Sequence, residues 1–172
     1  MNYYRNLIFR ILIPFIISYE IIQEIALYLT INATHLTLKF FNPNTFLIGD
    51  FLSFNETYIK LIPACAAASA YFLLLFLTVF TKDIKLKTGL KIFFLGSLII
   101  FITNLLRIIL LVIVLDKFSY NLFNTLHLFF WSIIASALVA IIWIFLTKLY
   151  RIRSIPVYSD LKYLIKKTNL YK

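Results

Sequence analysis

Three side chains in this sequence have the types needed for acyl transfer. Cys65 is the only cysteine, and a thiol becomes a strong nucleophile once it loses its proton. His127, one of two histidines, is a base near neutral pH. Arg107 carries fixed donors that can hold negative charge as it develops on an oxygen. Together they suit a reaction in which His127 accepts or relays the thiol proton, Cys65 attacks a carbonyl and Arg107 steadies the tetrahedral oxygen. Four residues support them. Asn104 lies one helical turn from Arg107 and can orient the guanidinium, Ser69 lies one turn from Cys65, and Glu20 and Glu24 share one helical face.

The elements that position these residues follow from composition. With 62% hydrophobic and only 14% charged residues, the chain has too little polar material to coat a soluble core, which makes it an integral membrane protein. A bilayer core about 30 Å thick needs roughly 20 apolar residues per helix. The apolar material falls into four such lengths, approximately Leu7 to Ile31, Ile62 to Phe80, Ile92 to Leu115 and Thr125 to Thr147. The expected fold class is therefore all-α, a polytopic membrane helix bundle with about four transmembrane helices and a short extracytoplasmic segment. Residues 1–172 read as a single integral membrane domain, with 148–172 as a basic cytoplasmic tail. The first run is longer than a signal-peptide core, contains Glu20 and Glu24 and lacks a small-residue cleavage pattern, so it is kept as a span.

Orientation follows from Lys and Arg. Arg5 and Arg10, then Lys82, Lys85, Lys87 and Lys91, then Lys148, Arg151, Arg153, Lys162, Lys166, Lys167 and Lys172 fall on one side; Lys39, Lys60 and Lys117 fall on the other. The positive-inside rule makes both termini cytoplasmic. The net charge of +10 is then explained by topology and contact with membrane lipids, and no nucleic-acid partner is expected. A single cysteine excludes an intramolecular disulfide or CxxC redox pair. The sequence has no Gly-rich phosphate loop, dinucleotide fingerprint or cluster of metal ligands, so no cofactor and no metal are expected.

This topology brings the three residues to one depth. Pro63 suits the first turn of a helix, which places Cys65 where unpaired N–H groups and the helix dipole favour an anion. The small residues Ala66 to Ala70 allow another helix to approach closely. An intramembrane arginine costs about 2.5 to 3.5 kcal/mol on insertion scales, which marks Arg107 as functional. It should lie about 12 Å below the outer boundary, and Glu24 about 10 Å below it. If Asn124 is the N-cap, His127 falls in the first turn of span four, where it stays available as a base. The plainer alternatives are a structural Cys65, an interfacial His127, and an Arg107 that pairs with Glu24 or Glu20 to lock two helices together. Glu20 and Glu24 should face the bundle interior.

Residues Asn32 to Leu61 form the longest outer segment, with turn residues Gly49, Asp50 and Asn55 suggesting a small hairpin over the helix ends. Two sequons, at Asn32 and Asn55, fall on this side. His35 belongs to the same segment and is the weaker histidine candidate. In the tail, Ser159 to Lys167 reads as a short helix with Leu161, Leu164 and Ile165 on one face, resting on the cytoplasmic surface.

The segment PACAAASAYFLLLFL from Pro63, the NLLR from Asn104 to Arg107 with the apolar run after it, and His127 at the opening of the next span resemble the Cys, Arg and His blocks of the archaeosortase and exosortase family. The resemblance covers roughly Phe46 to Ile144 in the family's block order. It implies a multi-pass cysteine transpeptidase at the extracytoplasmic face of the cell membrane. Such an enzyme cleaves a C-terminal sorting signal, made of a short motif, a transmembrane stretch and a basic end, from exported proteins and transfers the new carboxyl end to a lipid or other surface acceptor. Cys65 would form the thioester, Arg107 would stabilise the transition state, His127 would act as general acid or base, and Asn104 matches the accompanying Asn. Family members often carry Gly soon after Cys where this chain has Ala66 and Ala67. The chain is also short, with four spans where many exosortases have more, which implies either a compact archaeal-type member or one lacking accessory recognition elements.

Two other readings use the same residues. A noncatalytic membrane assembly or transport subunit would use Arg107 with Glu20 or Glu24 as a structural pair. A plain intramembrane protease would use water as the acceptor.

Overall fold

The computed structural model describes residues 3–55, 57–130 and 134–169. Among them the chain forms seven α-helices and one three-stranded sheet. Helix α1 (Tyr3–Ile16) gives way at Ile17 and Ser18, and Ser18 caps α2 (Tyr19–Phe41) by accepting a hydrogen bond from Ile21 N at 3.3 Å. The two helix axes bend by 55° at this break. Helix α2 stops where Pro43 follows Asn42, because the residue before proline avoids helical backbone. Asn42 is extended there, and its side-chain oxygen accepts from Asn44 N at 3.0 Å.

The segment after α2 is a tight antiparallel meander. Strands β1 (Phe46–Ile48), β2 (Phe51–Phe54) and β3 (Thr57–Lys60) pair in sequence order, with Leu52 opposite both Leu47 and Ile59. Gly49, at φ +59°, supplies the left-handed turn between β1 and β2. Leu52 and Phe54 bury against Ile31 and Leu38 of α2 and against Ile108 and Val112 further along the chain. Asp116 ties the sheet down, accepting from Asn55 Nδ2 at 2.7 Å and Thr57 Oγ1 at 3.3 Å.

A four-residue 3₁₀ turn, Pro63–Ala66, leads through Ala67 into α3 (Ala68–Val79). Helix α4 (Leu86–Lys117) runs the length of the bundle, followed by α5 (Tyr120–Phe129), α6 (Ala135–Leu149) and α7 (Tyr158–Asn169). Gly96 lets α4 lie close to both neighbours. A Cβ at that position would stand 2.6 Å from Leu74 Cδ2 and 3.1 Å from Leu146 Cδ1. Around this approach Leu74, Ile92, Ile100, Val139, Ile142 and Leu146 form the main core.

The all-helical expectation therefore holds in outline, with the sheet as an addition and a third strand beyond the expected hairpin. Helix boundaries differ more. Among the described residues, helix α4 alone is long and apolar enough to cross a bilayer, and α1 with α2 qualify only as a bent pair. The expected second span is a 3₁₀ turn plus a 12-residue helix, about 18 Å long at 1.5 Å per residue. Of the expected fourth span, α5 covers the part up to Phe129 and α6 the part from Ala135, and residues 131–133 lie outside the described residues. The first helix run extends to Phe41 rather than ending near Ile31, so Asn32 and His35 lie inside α2 and not in a loop. Within the first sequon, Thr34 is fully buried and Asn32 donates its side-chain amide to Tyr28 O at 2.7 Å.

Helix α7 does more than lie on a surface. Asp160 is buried and accepts from Arg10 at 2.8 Å and from the Tyr3 hydroxyl at 2.9 Å. Arg10 also donates to Val79 O at 2.6 Å, and Val157 N donates to Phe80 O at 3.0 Å. Lys82 sits over the Tyr163 ring at 4.0 Å. The first helix, the end of α3 and the last helix are thereby joined. Leu161 and Ile165 stay exposed on α7.

Candidate active site

Cys65 sits in the 3₁₀ turn, half-buried, as a free thiol. Its main-chain N–H is already engaged, donating to Ile62 O at 2.8 Å. Helix α3 begins only at Ala68, because Ala67 takes left-handed backbone at φ 53° and ψ 31°. The expectation that Pro63 opens a continuous helix with Cys65 in its first turn is therefore corrected. The thiol is presented by a sharp corner rather than by a helix start. That corner costs an L-residue about 1–2 kcal/mol, so surrounding contacts must hold it.

The holding contacts come from α4. Asn104, 5% exposed, donates Nδ2 to Cys65 O at 2.8 Å. One turn further, an Arg107 terminal nitrogen approaches the same oxygen at 3.5 Å. Sequence reasoning had Asn104 orienting the guanidinium; instead both side chains converge on the carbonyl of the cysteine. Arg107 also interacts electrostatically with the Cys65 thiol and with His127. Arg107 is thereby set beside the Cys65 main chain, and among the described residues no hydrogen bond joins His127 to either of them.

His127 reaches this neighbourhood from a different place than expected. Ser119, not Asn124, caps α5, accepting from Leu122 N at 3.3 Å, and His127 falls in the last turn. Its carbonyl accepts from Phe130 N, and its ring lies 5.6 Å from that of Phe123. No helix N-terminus therefore acts on its imidazole.

Glu20 and Glu24 are not part of the site. Both side chains are exposed, and the one ion pair among the described residues joins Arg10 to Asp160. The reason is the shifted helix. On α2 it is Ile31 that shares a cluster with Ile108, beside Arg107, and Glu24 lies about 10 Å of helix away from it. His35 is half-buried in α2 and, like Glu20 and Glu24, makes no ion pair among the described residues.

Two cavities open beside Arg107. One, of about 310 Å³, is lined by Ala67, Ile100, Thr103, Asn104, Arg107, Leu110, Phe130 and Leu138, among others. The second, of about 470 Å³, is lined by Ala64, Ala67, Ser69, Ala70, Leu73, Arg107, Ala135, Ser136 and Val139. Ser69 is exposed into this second space rather than packed below the thiol. Ala135 and Ser136 were not singled out from the sequence. The signal was there, since small residues at the start of α6 face a run of small residues at the start of α3.

Arg107 Nε and Asn104 Oδ1 are buried without a hydrogen-bond partner, as are Thr30 and Thr34 Oγ1 on α2. The corner thus holds a thiol with an arginine at its own carbonyl, which sets a nucleophile beside a cation. Comparison with models of known protein families, with curated proteins and with solved structures found no match to this chain.

Proposed function

We propose that this chain is a membrane cysteine transpeptidase of the archaeosortase and exosortase type. The observation that carries the reading is the shared hold of Asn104 and Arg107 on the carbonyl of Cys65. A merely structural cysteine would not need its backbone fixed by an intramembrane arginine, whose burial is costly.

In the proposed reaction Cys65 Sγ attacks the scissile carbonyl, and His127 takes the thiol proton and returns it to the departing amine. Arg107 stabilises the tetrahedral oxygen, and the product is a thioester on Cys65. An acceptor nucleophile then attacks the thioester, forms the new bond and releases the thiol. Substrates would be exported proteins with a C-terminal sorting signal, and the acceptor a lipid or other surface group.

The proposed setting is the cell membrane, with four crossings, both termini cytoplasmic and the site extracytoplasmic. In its support, α4 exposes Ile102, Leu106 and Leu110, and α6 exposes Ile141, Ile144 and Phe145. Such an apolar outer surface suits lipid. The assembly-subunit alternative is less well supported, because its pairing of Arg107 with Glu20 or Glu24 is not formed.

The test compares the C-termini of exported proteins in cells carrying wild type or Cys65→Ala. Loss of processing in the variant is expected. Unchanged C-termini would sink the enzyme reading, and mass analysis of the wild-type products separates transfer from hydrolysis.

A further inference from the structure

Helix α7 is turned the wrong way round for a helix that meets only water. Its polar side faces the protein. Asp160 is buried and accepts from Arg10 Nη2 at 2.8 Å and from the Tyr3 hydroxyl at 2.9 Å. Tyr163, three residues on, packs against Tyr3 with ring centroids 4.3 Å apart. The apolar side of α7 faces out. At 3.6 residues per turn, Tyr158, Leu161 and Ile165 lie roughly 100–160° around the helix from Asp160, and they are 56%, 51% and 61% exposed. Their spacing of three and then four residues makes one continuous stripe, and Ile155 and Val157, on the approach to the helix, are exposed as well. No other described helix is as amphipathic. The contacts of Asp160 fix the rotation, because turning the stripe inward would break both of its hydrogen bonds.

The surroundings of the stripe are basic. Lys162 and Lys166 are exposed along one flank, and Lys148, Arg151 and Arg153 are exposed on the chain that leads to it. Asp160 is the one acid between residues 148 and 169, and it is paired with Arg10. An apolar stripe edged by lysines, with no carboxylate left over, is complementary to an anionic lipid surface. The apolar side chains enter the boundary of the acyl chains while the ammonium groups meet the phosphates. A protein partner fits less well, since lysine is depleted from protein interfaces, whereas long basic side chains suit the edge of a membrane.

We propose that the outer face of α7, made of Tyr158, Leu161 and Ile165 with Lys162 and Lys166, docks on the anionic surface of the cytoplasmic leaflet. The occupant is the phospholipid bilayer itself. The helix lies in the plane of the interface, and the Asp160–Arg10 pair holds the rotation that turns the stripe to lipid. Arg10 also donates to Val79 O, and Val157 N donates to Phe80 O, so the docked helix anchors α1 and the end of α3 at the same surface. This goes beyond the transpeptidase reading and rests only on the membrane setting proposed with it.

The test is photo-crosslinking of the full chain in proteoliposomes made of phosphatidylcholine and phosphatidylglycerol in equal parts. The probe is Ile165→p-benzoylphenylalanine, an apolar replacement at an exposed position, and the adducts are identified by mass spectrometry. Lipid adducts are expected, with phosphatidylglycerol in excess by about fivefold, the factor that one lysine near an anionic surface supplies. Adding Lys162→Gln and Lys166→Gln should keep the lipid adducts and bring the two lipids to parity. The same probe at Ile144, exposed on α6, reports on the membrane setting and should capture both lipids equally. Lipid at Ile144 with none at Ile165 overturns the docking and leaves the membrane setting standing, as does a crosslink from Ile165 to a second copy of the chain. Parity at Ile165 with both lysines present overturns the anionic surface as the occupant. Absence of lipid adducts at both positions overturns the docking and the membrane setting together.

Discussion

The side-chain amide of Asn104 donates to the main-chain carbonyl of Cys65 at 2.8 Å, across a sequence separation of 39. Replacing Asn104 by Leu leaves that oxygen with only the 3.5 Å approach of Arg107. A loss of about 1–3 kcal/mol is expected, together with faster alkylation of Cys65 by a small thiol reagent as the corner loosens. Thermal unfolding in detergent measures the first and a labelling time course the second. A variant as stable and as slow to label as wild type would show that the contact holds nothing.

Ala67 tests the corner from the other side. Its backbone at φ 53° is one that glycine adopts freely and a β-branched residue resists. Ala67→Gly should raise stability by about 0.5–1 kcal/mol, and Ala67→Val should lower it by more than about 1 kcal/mol. If both substitutions shifted the melting temperature in the same direction, the left-handed turn would not be the controlling feature.

Gly96 sets the spacing of three helices. Substituting Leu drives a side chain into the space held by Leu74 and Leu146, and overpacking of this kind costs about 1–3 kcal/mol or more. Reduced yield of folded protein by size-exclusion profile is expected, whereas Leu at the exposed Leu98 position is already tolerated two residues away.

The junction of α1 and α7 is suited to a double-mutant cycle. Arg10→Ala leaves a buried Asp160 with the Tyr3 hydroxyl as its remaining described hydrogen-bond donor. Removing one partner of a buried ion pair costs about 3–5 kcal/mol. Adding Asp160→Ala should cost much less than the sum of the single changes. Strict additivity would mean that the two side chains do not interact in solution.

The same junction has an alkaline limit. Desolvation first, then the hydrogen bond and charge of Asp160, push the Tyr3 phenol up from 10.0 to about 12. A folded-state value above the unfolded one means that the neutral phenol's contribution is fully present below pH 10 and is lost as the pH rises through about 12. Wild type should therefore lose stability relative to Tyr3→Phe across that window. Parallel curves up to pH 12 would count against the contact.

How far the site could be read from the sequence depended on whether the signal was a residue type or a boundary. Cys65, Arg107, His127 and Asn104 were conspicuous by type, and the structure joins Asn104 and Arg107 to the carbonyl of Cys65. What held them was not legible. The run from Ala66 to Ala70 gives no warning of a left-handed residue, because alanine is the strongest helix former; contacts from α2 and Asn104 override that preference. Helix ends were misplaced where hydrophobicity continued through a break. Ser18 and Ser119 are both serine N-caps, and Asn42 with Pro43 is a stop. These local signals outranked the apolar run that suggested Leu7 to Ile31 as a span and Asn124 as a cap. The shift in α2 alone removed Glu20 and Glu24 from Arg107. Asp160 and Arg10, separated by 150 residues, leave no mark in a single sequence that one belongs to the other.

That separation has a consequence for biosynthesis. During synthesis Arg10 emerges well over a hundred residues before its carboxylate partner exists, at translation speeds of about 5–20 residues per second. For many seconds the first helix must therefore wait with an uncompensated charge, open to chaperones and to alternative partners. The α1 junction can close only after α7 has left the ribosome, so a chain stalled or cut before residue 160 would expose Arg10 as an unpaired feature by which quality control could recognise it.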